Sequence, residues 1–167
     1  KWINNYYVEP IYELLNKINW KKLARGSFGK FHGDPQPENI IVQSKEKFVL
    51  IDWREDFGGD LEHGDIYYDL GKIYHALIIT HKKIREKKYH VNFTKELAFY
   101  KFSKRRNLMK YLDYFEIFIK ENKFDLYKVK LISALIYLNI APLHHNPYSQ
   151  LLFFHGKLEL YKLLKKP

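Results

Sequence analysis

Two short apolar runs in the first third of the chain predict a β-hairpin. Residues 40–42 and 48–51 are apolar, and the few residues between them include the polar stretch 44–47. Apolar runs of this length, joined by a short polar turn, are typical of two antiparallel strands. Polar side chains directly before the first strand and directly after the second are therefore expected to lie near one another.

The polar residues that flank this hairpin are those that phosphoryl transfer to an alcohol requires. One carboxylate must accept or orient the hydroxyl proton, and oxygen ligands must hold Mg²⁺ on the phosphates. Asp34 and Asn39 lie five positions apart on the loop before the hairpin, and Asp52 directly follows its second strand. We predict Asp34 as the catalytic base, with Asn39 and Asp52 as the magnesium and nucleotide-binding residues.

Three segments resemble the aminoglycoside phosphotransferase and choline kinase family of small-molecule kinases. Residues 32–39 are similar to its His-Gly-Asp-x-x-x-x-Asn catalytic loop, and residues 50–53 to the segment with its metal-binding aspartate. Residues 64–71 are similar to its Gly-Asp-Pro-x-x-Asp-Leu-Ala segment. The resemblance is close over residues 28–80. It implies a kinase-like C-terminal lobe that uses ATP (or another NTP), Mg²⁺ and a small-molecule hydroxyl acceptor.

Two further residues are expected to support the site. His32 is predicted to brace the loop by hydrogen bonding rather than to exchange protons. Asp69, on a predicted helix, is expected to accept hydrogen bonds from the backbone of the catalytic loop. Both residues are therefore predicted to be structural rather than catalytic.

A second aspartate competes with Asp52 for the metal. Residues 56–58 spell Asp-Phe-Gly, the tripeptide in which protein kinases hold their metal-binding aspartate. Asp56 lies four residues beyond Asp52, however, whereas Asp52 continues the apolar strand directly. We therefore predict Asp52 as the ligand. Asp56 and Asp60 are expected on the acceptor side of the site or as solvated loop acids.

The chain departs from the family pattern at several points. Gln36 stands where many members carry a second histidine, and Ile66 replaces the usual proline. Residues 26–29 (Gly-Ser-Phe-Gly) are interpreted as a connector rather than a phosphate-binding loop, because no alternating strands follow them. No β-rich segment precedes residue 20, so the nucleotide-clamping N-terminal lobe is expected to be absent from this chain. The isolated chain is then expected to be inactive.

The remaining segments predict helices. Apolar residues at helical spacing indicate a helix within residues 1–20 and another that starts after Asp65, a plausible N-cap. Further helices are predicted at about 94–121, 125–141 and 148–165. The predicted fold is a single domain, residues 1–167, that is mainly α with a small β-hairpin. Its parts are a lead-in helix and connector (1–25), the catalytic and metal-binding loops with the first core helix (28–80) and a helical substrate-side subdomain (90–167).

The composition limits the classes of protein to which the chain can belong. The chain has no cysteine, which excludes disulfides and thiolate metal sites, and no apolar run approaches the ~20 residues of a membrane span. We therefore expect a cytoplasmic protein without a membrane partner. The net charge is +10, but the lysines alternate with acidic and apolar residues at helical spacing, as on solvated helix faces. Two alternatives stay open: a catalytically silent kinase-like scaffold and a basic nucleic-acid-binding domain.

Overall fold

The computed structural model of the protein describes residues 1–103 and 106–165. The strands are β1 (Trp2–Ile3), β2 (Tyr6–Tyr7), β3 (Phe28–Gly29), β4 (Ile40–Val42), β5 (Phe48–Leu50), β6 (Gly64–Asp65), β7 (Tyr89–Phe93) and β8 (Leu97–Phe102). The helices are α1 (Ile11–Asn16), α2 (Trp20–Leu23), α3 (Ile66–Ile78), α4 (His81–Arg85), α5 (Arg106–Glu121), α6 (Leu126–Ile140) and α7 (Tyr148–Lys165). Two 3₁₀ turns lie at Pro37–Asn39 and Ala141–Leu143.

The C-terminal helix α7 forms the centre of the larger hydrophobic core. Its Leu151, Leu152 and Leu160 are completely buried. They belong to the same cluster as residues from α6 and from the strands β1 and β8. Full burial of one such leucine is worth about 1.5–3 kcal/mol relative to its exposure. The two long C-terminal helices and the strands therefore pack together as one body.

Helix α3 links this core to the loops at the other side of the molecule. Its Leu70 and Tyr74 pack in a second cluster with residues of α5 and α6. At Gly71 the helix approaches α6 so closely that a Cβ would lie 2.6 Å from Cγ2 of Ile132. At its start, the side chain of Asp65 accepts a hydrogen bond from the Tyr67 N–H (3.0 Å), so the predicted N-cap is confirmed.

The predicted hairpin is present. Strands β4 and β5 pair antiparallel, with Ile40 opposite Leu50 and Val42 opposite Phe48. A second short pairing joins β3 to β6, with Phe28 opposite Asp65. The loop at residues 30–39 thus runs between β3, which is attached to the start of α3, and the hairpin.

Residues 89–102 correct the sequence-based prediction of an all-helical C-terminal part. The helix predicted from residue 94 begins only at Arg106, and β7 and β8 form a hairpin before it. Burial alternates along strand β8: Ala98 and Tyr100 are buried, whereas Leu97, Phe99 and Lys101 are exposed. This is the period of a strand with one covered face. In the predicted helical subdomain 90–167, the strands therefore extend to Phe102, and the first described helix begins at Arg106.

The beginning of the chain also differs from the prediction. Strand β1 pairs antiparallel with β2 and parallel with β8, which gives a four-stranded sheet in the order β2-β1-β8-β7. The lead-in helix predicted within residues 1–20 is confirmed for Ile11–Asn16, whereas residues 2–7 form the two strands.

Helix α6 is the most apolar helix of the fold. Together with the 3₁₀ turn after it, α6 forms the stretch Leu126–Leu143, which has the length and composition of a membrane span. It is the one such stretch among the described residues. Half of that stretch is buried inside the structure, and α6 packs against both α3 and α7. It therefore serves here as a core helix, as the sequence predicts for residues 131–141.

Candidate active site

The backbone of the predicted catalytic loop is fixed by a carboxylate from α3. The N–H groups of His32 and Gly33 donate to the two oxygens of Asp69, at 2.7 and 2.8 Å. Gly33 has a φ of +82°, and a Cβ at this position would lie 2.3 Å from Cγ of Arg54. The turn therefore requires glycine, and the Asp69 carboxylate satisfies two backbone donors that the turn leaves unpaired.

His32 braces the same loop from within. Its side chain is buried, and its Nδ1 atom accepts a hydrogen bond from the Asp34 N–H (3.2 Å). Its ring stacks on Trp53, with the ring centres 4.7 Å apart, and its carbonyl accepts from the Arg54 N–H (2.9 Å). These contacts tie the loop to the segment that follows the hairpin.

The carboxylate of Asp34 has a side-chain partner beside each oxygen, an ion pair at Oδ1 and a hydrogen bond at Oδ2. The Lys72 Nζ lies 2.6 Å from its Oδ1, and the Gln36 Nε2 donates to its Oδ2 at 2.9 Å. The Asp34 side chain is only 17% exposed and that of Lys72 only 7%. The sequence reasoning missed Lys72. Its signal was a charged residue inside the apolar pattern of α3, between Leu70 and Ile73.

Asn39 lies beside Asp34 at the start of β4. It is buried, and its Nδ2 donates to the backbone oxygen of Asp34 at 2.9 Å. The backbone carbonyl of Asn39 accepts a hydrogen bond from the Ile51 N–H (3.0 Å) across the hairpin. This arrangement uses the donor end of the amide, so the Oδ1 oxygen is the atom that Asn39 can offer to a cation.

The segment that contains Asp52 is attached to the catalytic loop by backbone hydrogen bonds. The N–H of Ile51, just before Asp52, donates to the backbone oxygen of Asn39, and the N–H of Arg54, two residues after it, donates to that of His32. Asp52 itself has a φ of +61°, a left-handed conformation that aspartate tolerates better than most residues. Its side chain is exposed and, within the described residues, forms no hydrogen bond or ion pair with Asp34 or Asn39.

The residues present fit a magnesium ion by their chemistry. Asn39 and Asp52 offer an amide and a carboxylate oxygen, which are hard donors of the kind Mg²⁺ prefers. In the part of the chain that the structure describes, no three His, Asp or Glu side chains are grouped as a metal site. The protein would therefore supply few ligands. That is usual for Mg²⁺, which keeps waters and takes substrate phosphates as further ligands.

The competing aspartates have local structural roles in the loop between β5 and β6. The Oδ2 of Asp56 accepts from the Gly59 N–H (2.9 Å). The Oδ1 of Asp60 accepts from the N–H groups of Glu62 and His63, and these hydrogen bonds lower the pKa of Asp60. Both carboxylates are exposed, and Asp60 also lies 3.7 Å from the His63 ring nitrogen.

Comparison with known proteins gives one match. The sequence model of the phosphotransferase enzyme family matches residues 10–89. No curated protein and no solved structure matches the chain significantly. The matched segment contains the loop with Asp34 and Asn39, the hairpin with Asp52, and the start of α3 with Asp69, and it confirms the resemblance noted from the three motifs. Residues 10–89 are therefore similar to the phosphotransferase enzyme family, and this similarity implies phosphotransferase activity in general.

Proposed function

We propose that the protein is the catalytic part of an ATP- and Mg²⁺-dependent kinase that phosphorylates the hydroxyl group of a small molecule. One observation carries this proposal. The Asp34 carboxylate is oriented by Lys72 and Gln36, the Asn39 amide binds the backbone oxygen of Asp34, and the backbone of their loop is fixed by Asp69. Phosphoryl transfer depends mainly on such positioning, because there is little covalent chemistry for the protein to do.

In this proposal each side chain has one task. Asp34 accepts or orients the proton of the acceptor hydroxyl, with the carboxylate already turned by its two side-chain partners. The Oδ1 of Asn39 and the carboxylate of Asp52 would hold Mg²⁺ at the nucleotide phosphates. When bound, Mg²⁺ supplies positive charge against the phosphate oxygens. His32 and Asp69 hold the loop and do not exchange protons in the reaction.

A nucleotide-clamping lobe is part of the proposal. Such a lobe normally contributes a glycine-rich strand pair and a lysine paired with a glutamate. Residues 1–103 and 106–165 contain no segment of this kind, so we place the lobe in a segment or chain outside these residues. The hairpin beside the site presents an apolar surface that fits such a neighbour, at Ile41, Val42, Phe48, Leu50 and Trp53.

The acceptor is proposed to bind in a cleft of about 500 Å³ between β3, β6 and the loop before β6. Phe28, Phe57, Asp60 and His63 line this cleft. Phe57 also contacts Phe31, next to the catalytic loop, with ring centres 5.5 Å apart, and this contact supports the proposed location of the acceptor. Aromatic walls and an ionised carboxylate favour a neutral sugar, a sugar derivative or an amino alcohol over an anionic acceptor.

The alternative is a catalytically silent scaffold with a kinase-like fold. The observation in its favour is the exposed side chain of Asp52, which makes no contact with Asp34 or Asn39 in the described residues. Against it, a scaffold has no need for a largely shielded aspartate that has a side-chain partner beside each oxygen. The two functions differ in one measurable property, namely whether phosphate moves from ATP to an alcohol.

The test is phosphate transfer from Mg²⁺·ATP by the full-length protein, across sugars, sugar phosphates, amino alcohols and aminoglycosides. The matched variant is Asp34→Asn, which keeps the shape of the side chain and removes the proton-accepting carboxylate. We expect transfer to one acceptor class, and a loss of about 10²–10⁴-fold in the variant, the usual contribution of acid–base catalysis. Absence of transfer to every acceptor would favour the scaffold, and transfer unchanged in Asp34→Asn would refute the role of Asp34.

A further inference from the structure

Helix α3 reaches the catalytic loop with two side chains. Asp69 and Lys72 lie three positions apart, which puts them on the same side of the helix. Asp69 binds the backbone of the loop at His32 and Gly33, whereas Lys72 binds the side chain of Asp34. The helix thus fixes both the path of the loop and the orientation of its carboxylate.

The contact between Lys72 and Asp34 is close and largely shielded from water. The Lys72 Nζ and the Asp34 Oδ1 lie 2.6 Å apart, with 7% and 17% of the side chains exposed. Among the described residues, Asp34 is the one carboxylate within ion-pair distance of Lys72. The ammonium group is therefore not shared with another acid, and its effect is directed at this carboxylate.

The core does not require a lysine at this position. Desolvating an ammonium is costly, and a buried ion pair contributes little net stability compared with apolar residues of similar volume. The adjacent positions of α3 are occupied by Leu70, Gly71 and Ile73. A leucine or methionine at position 72 would fill the same space without the desolvation cost, so the charge of Lys72 calls for an explanation outside stability.

The geometry of the carboxylate supplies that explanation. A carboxylate offers about four lone-pair sites on its two oxygens. The Lys72 ammonium lies beside Oδ1 as an ion-pair partner, without hydrogen-bond geometry, and the Gln36 amide donates to Oδ2 at 2.9 Å. A cation beside one oxygen and a donor on the other hold the carboxylate in one orientation and leave lone pairs for an acceptor hydroxyl. A misplacement of a reacting group by 1 Å can cost about 10²-fold in rate.

His75 is also ionisable and lies next to Lys72, but it does not supply a positive charge to the Asp34 carboxylate. His75 lies one turn further along α3, and its Nδ1 lies 3.3 Å from the backbone oxygen of Lys72. Burial and the nearby Lys72 ammonium lower the pKa of His75 to about 3, so its ring is neutral at physiological pH. Lys72 is therefore the cation that acts on the Asp34 carboxylate.

We propose that Lys72 is a positioning residue of the phosphoryl-transfer site, which holds the Asp34 carboxylate in the orientation that receives the proton of the acceptor hydroxyl. This inference rests on the proposed kinase function. It assigns Lys72 an effect on turnover rather than on nucleotide affinity, since its contact is with Asp34.

The experiment compares steady-state kinetics of three variants of the full-length protein with wild type. Lys72→Met removes the charge and keeps the length of the side chain, and Lys72→Gln keeps an N–H donor. The matched control is Lys128→Met on α6. Lys128 is also buried, but its Nζ donates to the backbone oxygen of Arg25 (2.7 Å), away from Asp34. Circular dichroism establishes that each variant is folded, and Lys72→Gln keeps the test valid if Lys72→Met does not fold.

We expect Lys72→Met to lower kcat about 100-fold, with the KM values for ATP and acceptor changed less than about threefold. Lys72→Gln should recover part of the loss, and Lys128→Met should keep kcat within about threefold of wild type. The inference is overturned if both Lys72 variants keep wild-type kcat, or if KM for ATP rises while kcat is unchanged. It is also overturned if Lys128→Met lowers kcat equally, because the role would then be structural. A wild-type protein that phosphorylates no acceptor would instead overturn the kinase proposal itself.

Discussion

Replacement of Asp69 by asparagine should loosen the catalytic loop while leaving the rest of the fold in place. The two oxygens of Asp69 accept from His32 and Gly33 at 2.7 and 2.8 Å, so both are in use. An asparagine keeps the shape of the side chain but presents one NH₂ group in place of an oxygen. That group cannot accept a hydrogen bond, so one backbone N–H loses its partner and the other keeps a weaker, uncharged one.

The size of the effect follows from these two bonds. A hydrogen bond to a charged group contributes about 1.5–3 kcal/mol, and a half-buried donor left without a partner adds to the loss. The sum predicts that the loop is destabilised by about 2–3 kcal/mol relative to the rest of the protein. Since about 1.4 kcal/mol corresponds to a factor of ten, local opening should become roughly 30- to 150-fold more frequent.

Hydrogen–deuterium exchange of the full-length protein measures this opening directly. The amides of His32 and Gly33 should exchange roughly 30- to 150-fold faster in Asp69→Asn, whereas peptides from α7 should be unchanged. Asp113→Asn, which alters an exposed aspartate of α5, is the matched control. If peptides that contain residues 32–33 exchange within threefold of wild type in Asp69→Asn, the argument that this carboxylate fixes the loop is refuted.

Two further predictions concern the helix that carries Asp69. Gly71→Val should lower the melting temperature by several degrees, because its Cβ would lie 2.6 Å from Cγ2 of Ile132 and overpacking costs about 1–3 kcal/mol. The free energy of unfolding should also fall as the pH falls below about 6.5. The pKa of His75 is about 3 in the folded protein and 6.5 when unfolded, so the unfolded state binds the proton first and the stability is lost between these values. The loss from this group between pH 7 and pH 5 is about 2 kcal/mol.

Each of these predictions has a variant that isolates its cause. Ile132→Ala removes the atom that Gly71→Val would strike, so the double variant should be less unstable than the two single effects predict; additive effects would contradict the steric reasoning. His75→Leu removes the titrating group, so chemical unfolding of this variant should show a weaker dependence on pH than wild type. Equal dependence in both proteins would show that other groups are responsible.

Local sequence patterns were sufficient where the structure depends on local contacts. The hairpin, the N-cap at Asp65 and the three C-terminal helices all follow from patterns within about ten residues. Strands β1, β7 and β8 were not predicted. The pairing of β1 with β8 joins Trp2 to Leu97, a contact that no local period can indicate. The alternation in β8 was present in the sequence, but it directly precedes a long helical pattern and was read as part of it.

The candidate site divides in the same way between local and distant contacts. The motif pattern predicted Asp34, Asn39 and Asp52 as site residues, and all three flank one hairpin. Lys72 was missed because its partner lies 38 positions earlier in the chain, and a lysine on a helix is usually solvated. The burial of Lys72 is visible only when α3 is placed against the catalytic loop. A charged residue within an apolar helix face is thus the signal that sequence reasoning should have pursued.

In the proposed kinase, the part of the site that would handle the acceptor proton is more organised than the part that would hold the metal. Gln36 donates to one oxygen of Asp34, the Lys72 ammonium lies beside the other, and the loop before Asp34 is bonded to Asp69. Asp52 is held only through the backbone of its neighbours, and its side chain is exposed. A carboxylate that would bind Mg²⁺ gains nothing from protein donors, which would compete with the ion. The difference between the two aspartates is therefore the one that the proposed roles require, because a base must be oriented beforehand, whereas a ligand is oriented by the ion that it binds.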